Sequence, residues 1–166
     1  GMFLTMYYVQ DIENAWKSVY YLQNEVAFGE IVRGMHHWGA SLVIVMMFLH
    51  TLRVFFTGSY KKPRELNWLV GVGIFGVMLG LGFTGYLLPW DMKALFATKV
   101  GIEIAASVPF VGGLIKTLLA GDATILGAQT LTRFYAIHVF FLPAALFALL
   151  ALHFVMIRRQ GISGPL

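Results

Sequence analysis

The chain has 166 residues, 58% of them hydrophobic and 12% charged, with a mean hydropathy of +0.75. That balance lies outside soluble composition, excludes a soluble enzyme and describes an integral membrane protein. The formal charge of +4 sits on cations that flank the apolar stretches, so it reads as membrane topology and not as nucleic-acid binding.

Taken in chain order, residues 1–8 have the look of the end of a hydrophobic helix, with further sequence expected upstream. Residues 9–30 are polar and aromatic, with Ile12, Trp16, Val19, Tyr20 and Leu22 spaced for a short amphipathic helix on the outer surface. The first full span occupies residues 31–57 and is broken by Lys61-Lys62-Pro63. The second, 67–88, carries no charge and has glycines at 71, 73, 76, 80, 82 and 85, too many for helix propensity alone. After Pro89-Trp90-Asp91, an outer connection over 89–130 is apolar in patches and is read as two short helices roofing a pocket for an amphipathic small molecule. The third span, 131–157, holds Pro143, which is expected to kink it. Lipid offers the backbone no hydrogen bonds, so all three spans must be helices, and the fold class is an all-α transmembrane bundle. Lys61, Lys62 and Arg64 between the first two spans, and Arg158 with Arg159 after the last, place those ends on the cytoplasmic side. The first and third spans then run in the same direction.

Those two spans carry four of the five histidines, His36 with His50 and His138 with His153. Intervals of fourteen and fifteen residues return a side chain to within about 40° and 60° of its starting direction and advance it roughly 21 and 22 Å, so each helix shows one imidazole near each membrane surface on one face. A single histidine near a helix end is commonly an interfacial hydrogen-bonding group. Two spans with two each at matching depth point instead to bis-histidine haem ligation, His36 with His138 at the outer level and His50 with His153 at the inner one. Two imidazoles fill both axial positions, which suits electron transfer. His37 points about 100° from His36 and is read as a surface group. Gly71 and Gly85 repeat the fourteen-residue interval and would give a flat macrocycle clearance at each level. Haem carboxylates inside a membrane protein need cations. Arg33 and Arg133 lie just outside the outer pair, and Arg53 and Arg158 just outside the inner pair.

The runs Arg33-x-x-His36-x-Trp38, His50-x-x-Arg53, Lys61-Lys62-Pro63-Arg64-Glu65-Leu66, Gly85-Tyr86-x-Leu88-Pro89-Trp90-Asp91 and Leu131-Thr132-Arg133-Phe134-Tyr135-x-x-His138, with the tail from Arg158 to Leu166, resemble cytochrome b6, the short split form of cytochrome b. The resemblance covers essentially the whole chain. It implies a four-helix di-haem bundle in a quinol:cytochrome c or plastocyanin oxidoreductase, with the first helix largely missing here. It further implies His36 and His138 on an outer b haem, His50 and His153 on an inner one, and haem-contact glycines at 71, 85 and 1.

The same resemblance implies that quinol is oxidised at the outer face, one electron going to a Rieske iron–sulfur protein and the other inward across the two haems to quinone. Tyr86, Ala97 and Gly101 would line the outer quinol pocket, and Arg158 would lie near the inner quinone. A subunit IV-like C-terminal half, a c-type cytochrome and a homodimeric complex are the implied partners. The membrane would be bacterial cytoplasmic or thylakoid. Relatives of the b6 type carry a cysteine near the first helix for a third, covalent haem, a question the present residues leave open. Lys99 and Glu103 resemble bacterial menaquinol-oxidising forms, and His37 stands where the b6 form has arginine. Two other readings of the histidines are a di-haem b membrane anchor of a dehydrogenase and a haem-free transporter relaying protons.

Overall fold

Every regular element of the computed structural model, which describes residues 1–121 and 126–162, is helical. Residues 122–125 of the outer connection and the tail motif from Ser163 to Leu166 lie outside the described residues. The chain opens with a single turn, α1 (Met2–Thr5), followed by α2 (Ala15–Asn24) and the first span, α3 (Gly29–Phe56). The second span is α4 (Glu65–Leu87); α5 (Met92–Ala106) and α6 (Gly112–Ala120) form the connection. The third span runs unbroken over Ala128–Gln160 as α7 (Ala128–Ala136), a π-helical turn (Ile137–Phe141) and α8 (Leu142–Gln160).

The three spans are each two or three residues longer at one or both ends than hydropathy alone suggests. Helices continue past the apolar core because Glu65 and Arg158 to Gln160 can extend into the headgroup region while their backbones stay paired. The expected surface helix is present, but its buried face is Ala15, Ser18 and Leu22; Ile12, Trp16 and Tyr20 are exposed, with the Trp16 and Tyr20 rings stacked at 5.4 Å. Small residues win the inner face because α2 lies close against the start of α3. A Cβ on Gly29 would fall 1.8 Å from the Leu22 carbonyl oxygen, so only glycine fits that junction.

Pro143 widens the third span locally. Proline has no N–H for the carbonyl four residues back, which is Val139. The chain absorbs this by widening the preceding turn, where the Leu142 N–H bonds the Ile137 carbonyl in the π pattern. The widened turn contains His138.

The connection folds as a helical hairpin on the ends of α4 and α7. Asp91 caps α5 by accepting from the Ala94 N–H at 2.8 Å, and Trp90 before it holds a positive φ of 54°. At the α5–α6 corner a Cβ on Gly112 would lie 1.9 Å from the Ala106 oxygen. Leu87, Ile102, Ala120 and Phe134 form a buried core there, with Phe83, Trp90 and Leu95 against it. Tyr8 ties the N-terminal segment in, its hydroxyl donating to the Leu88 carbonyl at 2.7 Å and its ring stacking on Tyr135 at 5.5 Å.

Candidate functional site

α4 lies between the two histidine-bearing helices. It packs extensively on α8 and less on α3, while α3 and α8 make little direct contact. His36 meets His138 across the space between α3 and the third span, and His50 and His153 follow on the same two helices fourteen and fifteen residues later.

In the first layer, the His36 and His138 ring centres are 6.2 Å apart with their planes at 85°. An imidazole nitrogen binds a metal at about 2 Å, so two imidazoles on one iron have ring centres about 6 Å apart. The pair therefore fits a haem iron between them. His138 is held from the α4 side, where Thr84, buried at 3% exposure, places its hydroxyl 3.2 Å from Nδ1. That hydroxyl donates its one proton to the Gly80 carbonyl at 2.7 Å, so toward His138 its oxygen accepts and Nδ1 carries the proton. Nε2 is then the unprotonated nitrogen, the state a metal ligand requires.

The second layer repeats the first with fourteen residues' displacement along α4. Gly71 faces His153 as Gly85 faces His138: a Cβ on Gly71 would meet His153 Cε1 at 3.5 Å, and one on Gly85 would meet His138 Cε1 at 2.5 Å. His50 on α3 is near enough to His153 for their charges to interact. Each imidazole of the third span also approaches an α4 carbonyl, Leu81 for His138 and Asn67 for His153. Glycine four residues later leaves that carbonyl uncovered. His153 Nδ1 is buried without completing a hydrogen bond. The nearest side chains at Gly71 and Gly85 are the imidazoles of His153 and His138, while Gly73 and Gly80 admit Leu149 and Leu142 of α8 and Gly82 admits Ile44 of α3. Gly1 has nothing within 4 Å of its would-be Cβ.

The arginines divide. Arg33 donates through Nη1 to the Gln23 side chain on α2, and Arg133 donates through Nη1 to the Thr117 carbonyl and, at 3.0 Å, to that of Leu118. Part of the Arg133 guanidinium thus caps the C-terminal carbonyls of α6, where the helix dipole favours a cation. Its other donors are uncommitted by these bonds. Arg53 acts electrostatically on His50, three residues before it. Arg158 is exposed at the end of α8.

Tyr86 and Ala97 are exposed, but Gly101 is packed against Phe83: a Cβ there would lie 2.4 Å from the ring. Its small size accommodates an α4 aromatic. A shallow groove of about 590 Å³ runs along α5, lined by Phe96, Lys99, Val100, Glu103, Ile104 and Ser107, and none of the three suspected residues lines it. Glu103 is bonded to Lys116 of α6 at 2.7 Å, an exposed pair that joins the hairpin and contributes little energy.

Sequence reasoning missed Thr84 and the π-helical turn. Thr84 carried a signal, as a hydroxyl in an apolar span directly before Gly85. The only signal for the turn is Pro143, and a missing N–H does not by itself specify a widened turn.

Comparison with known proteins agrees with this architecture. Residues 1–161 match the family described as cytochrome b/b6/petB. The chain is 82% identical over all 166 residues to the menaquinol:cytochrome c reductase cytochrome b subunit of Bacillus subtilis (strain 168), covering 74% of it. It is 48% identical to cytochrome b6 of Heliobacterium mobile, covering 78% of that protein. Among solved structures it superposes on a chain of a hyperthermophilic respiratory Complex III with a TM-score of 0.89 and 32% identity, over 99% of this chain and 44% of that one. The chain thus spans about three quarters of these sequence relatives and less than half of the Complex III chain.

Proposed function

Because the chain belongs to the cytochrome b/b6 family, we propose that it is the di-haem membrane subunit of a quinol:cytochrome c or plastocyanin oxidoreductase. The observation that carries this reading is the 6.2 Å separation of His36 and His138, the spacing of two imidazoles on one iron. His36 and His138 hold the outer b haem, and His50 and His153 the inner one. Bound there, the two haems supply one-electron transfer between the two faces of the membrane.

The protein's own residues fix the ligands. Gly71 and Gly85 admit the imidazoles of His153 and His138 to the surface of α4, and the Thr84 oxygen keeps the proton of His138 on Nδ1. Arg53 and Arg158 serve the carboxylates of the inner haem. Arg33 and the free donors of Arg133 serve those of the outer one. A helical spacer of about 21 Å between layers keeps the two sites separate.

Quinol is oxidised at the outer face beside α5, with Tyr86 and Ala97 lining the pocket, and quinone is reduced at the inner face near Arg158. The 82% identity to a menaquinol:cytochrome c reductase subunit favours menaquinol and a bacterial cytoplasmic membrane. A subunit IV-like partner, a Rieske protein and a c-type cytochrome complete the complex, which is a homodimer.

The reading is tested by quinol-driven reduction of the b haems in membranes whose inner quinone site is inhibited, so that electrons enter only from outside. Ala97→Trp, at an exposed position on α5, is expected to slow that reduction with both haems retained. Haem reduction by quinol at a native rate in the variant would remove Ala97 from the outer pocket. No quinol-driven reduction even in the native complex would favour a dehydrogenase anchor.

A further inference from the structure

The two histidine layers share a backbone pattern and differ by one hydroxyl. In both, a glycine on α4 faces an imidazole of the third span, and in both an α4 carbonyl lies near that ring, Leu81 for His138 and Asn67 for His153. In the outer layer Thr84 adds an acceptor at 3.2 Å from Nδ1. Fourteen residues earlier on α4, the equivalent position holds Val70, which has the same shape and no hydroxyl. His153 Nδ1 is buried and lacks a completed hydrogen bond.

A hydrogen bond from Nδ1–H to an acceptor moves electron density toward Nε2 and makes the imidazole a stronger donor. A stronger axial donor stabilises the oxidised iron more than the reduced one and lowers its potential. The Thr84 hydroxyl has the Gly80 carbonyl at 2.7 Å for its own proton, and a His138 that binds iron through Nε2 must carry its proton on Nδ1, so toward Nδ1 the Thr84 oxygen accepts. Burial at 3% exposure excludes water as a competing partner.

We propose that Thr84 is a positioning residue that fixes the His138 tautomer and lowers the midpoint potential of the outer haem, so that the Thr84 and Val70 positions set the two haems apart electronically. This rests on the di-haem reading above.

The test is a potentiometric titration of the intact complex, followed optically and by electron paramagnetic resonance. Thr84→Val keeps the shape of the side chain and removes the acceptor. It is expected to raise the outer midpoint and leave the inner one in place, with Thr84→Ser returning the outer value toward native. An unmoved outer midpoint with both haems present, or equal shifts in both, overturns the proposal. Should Thr84→Val lose its outer haem, Val70→Thr decides: a lowered inner midpoint supports the proposal, and an unchanged one overturns it. A native complex without two b haems fails at the optical spectrum before any potential is read, and that outcome is a failure of the di-haem reading itself.

Discussion

Gly85 and His138 occupy each other's space: a methyl group on Gly85 would stand 2.5 Å from His138 Cε1, closer than real carbon atoms approach. The corresponding pair, Gly71 and His153, would be separated by 3.5 Å, an ordinary contact. The same substitution should therefore act differently in the two layers. Gly85→Ala is expected to push His138 off its position and to remove or broaden the outer haem signal. Gly71→Ala should leave the inner haem in place. Reduced-minus-oxidised spectra of the two variants check this, and equal sensitivity of both layers would contradict the geometry.

A second prediction concerns Gly101 and Phe83. A Cβ at position 101 would lie 2.4 Å from the Phe83 ring, so Gly101→Leu should lever α5 away from α4 at a cost of about 1–3 kcal/mol, as overpacking does. The measurement is thermal loss of the complex's haem spectrum, expected at lower temperature. Phe83→Ala in the same chain should recover part of the loss, because it vacates the space. A Gly101→Leu variant of native stability would mean that the close contact is not present in the membrane.

The arginines give a third test. Arg133 bonds the last carbonyls of α6, and Arg53 lies beside His50. Arg133→Leu is expected to lower stability by about 1–2 kcal/mol, toward the lower end for hydrogen bonds to a charged group at a partly exposed site. Arg53→Leu should cost little stability and shift the spectrum or potential of the inner haem alone. Thermal unfolding together with potentiometry separates the two. A shift of the outer haem by Arg53→Leu would break the assignment of layers.

The bundle and its ligand pairs were legible because they rest on long-period signals. Four histidines at intervals of fourteen and fifteen residues in apolar runs leave few alternatives once lipid forces the spans to be helical. The glycine interval on α4 was legible for the same reason, although it pointed to the macrocycle when the nearer neighbours are the rings of His138 and His153. What stayed hidden depends on tertiary partners. Nothing local told that Gly101 faces Phe83, that Arg133 caps α6, or that α2 buries Ala15 and Ser18 in preference to Trp16. The π-helical turn followed from a missing N–H at Pro143, yet whether a helix kinks or widens there is decided by its packing on α4.

The central claim is that this chain holds two b haems in separate layers, each between α3 and the third span, and the most direct measurement is a pyridine haemochrome count of b haem together with low-temperature reduced-minus-oxidised spectra of the intact complex with single histidine replacements. The account predicts two non-covalent b haems per chain in the native complex. His36→Ala and His138→Ala should each remove the outer spectral component, and His50→Ala and His153→Ala the inner one. A native complex without two such haems, or His36→Ala and His50→Ala bleaching the same component, would contradict it.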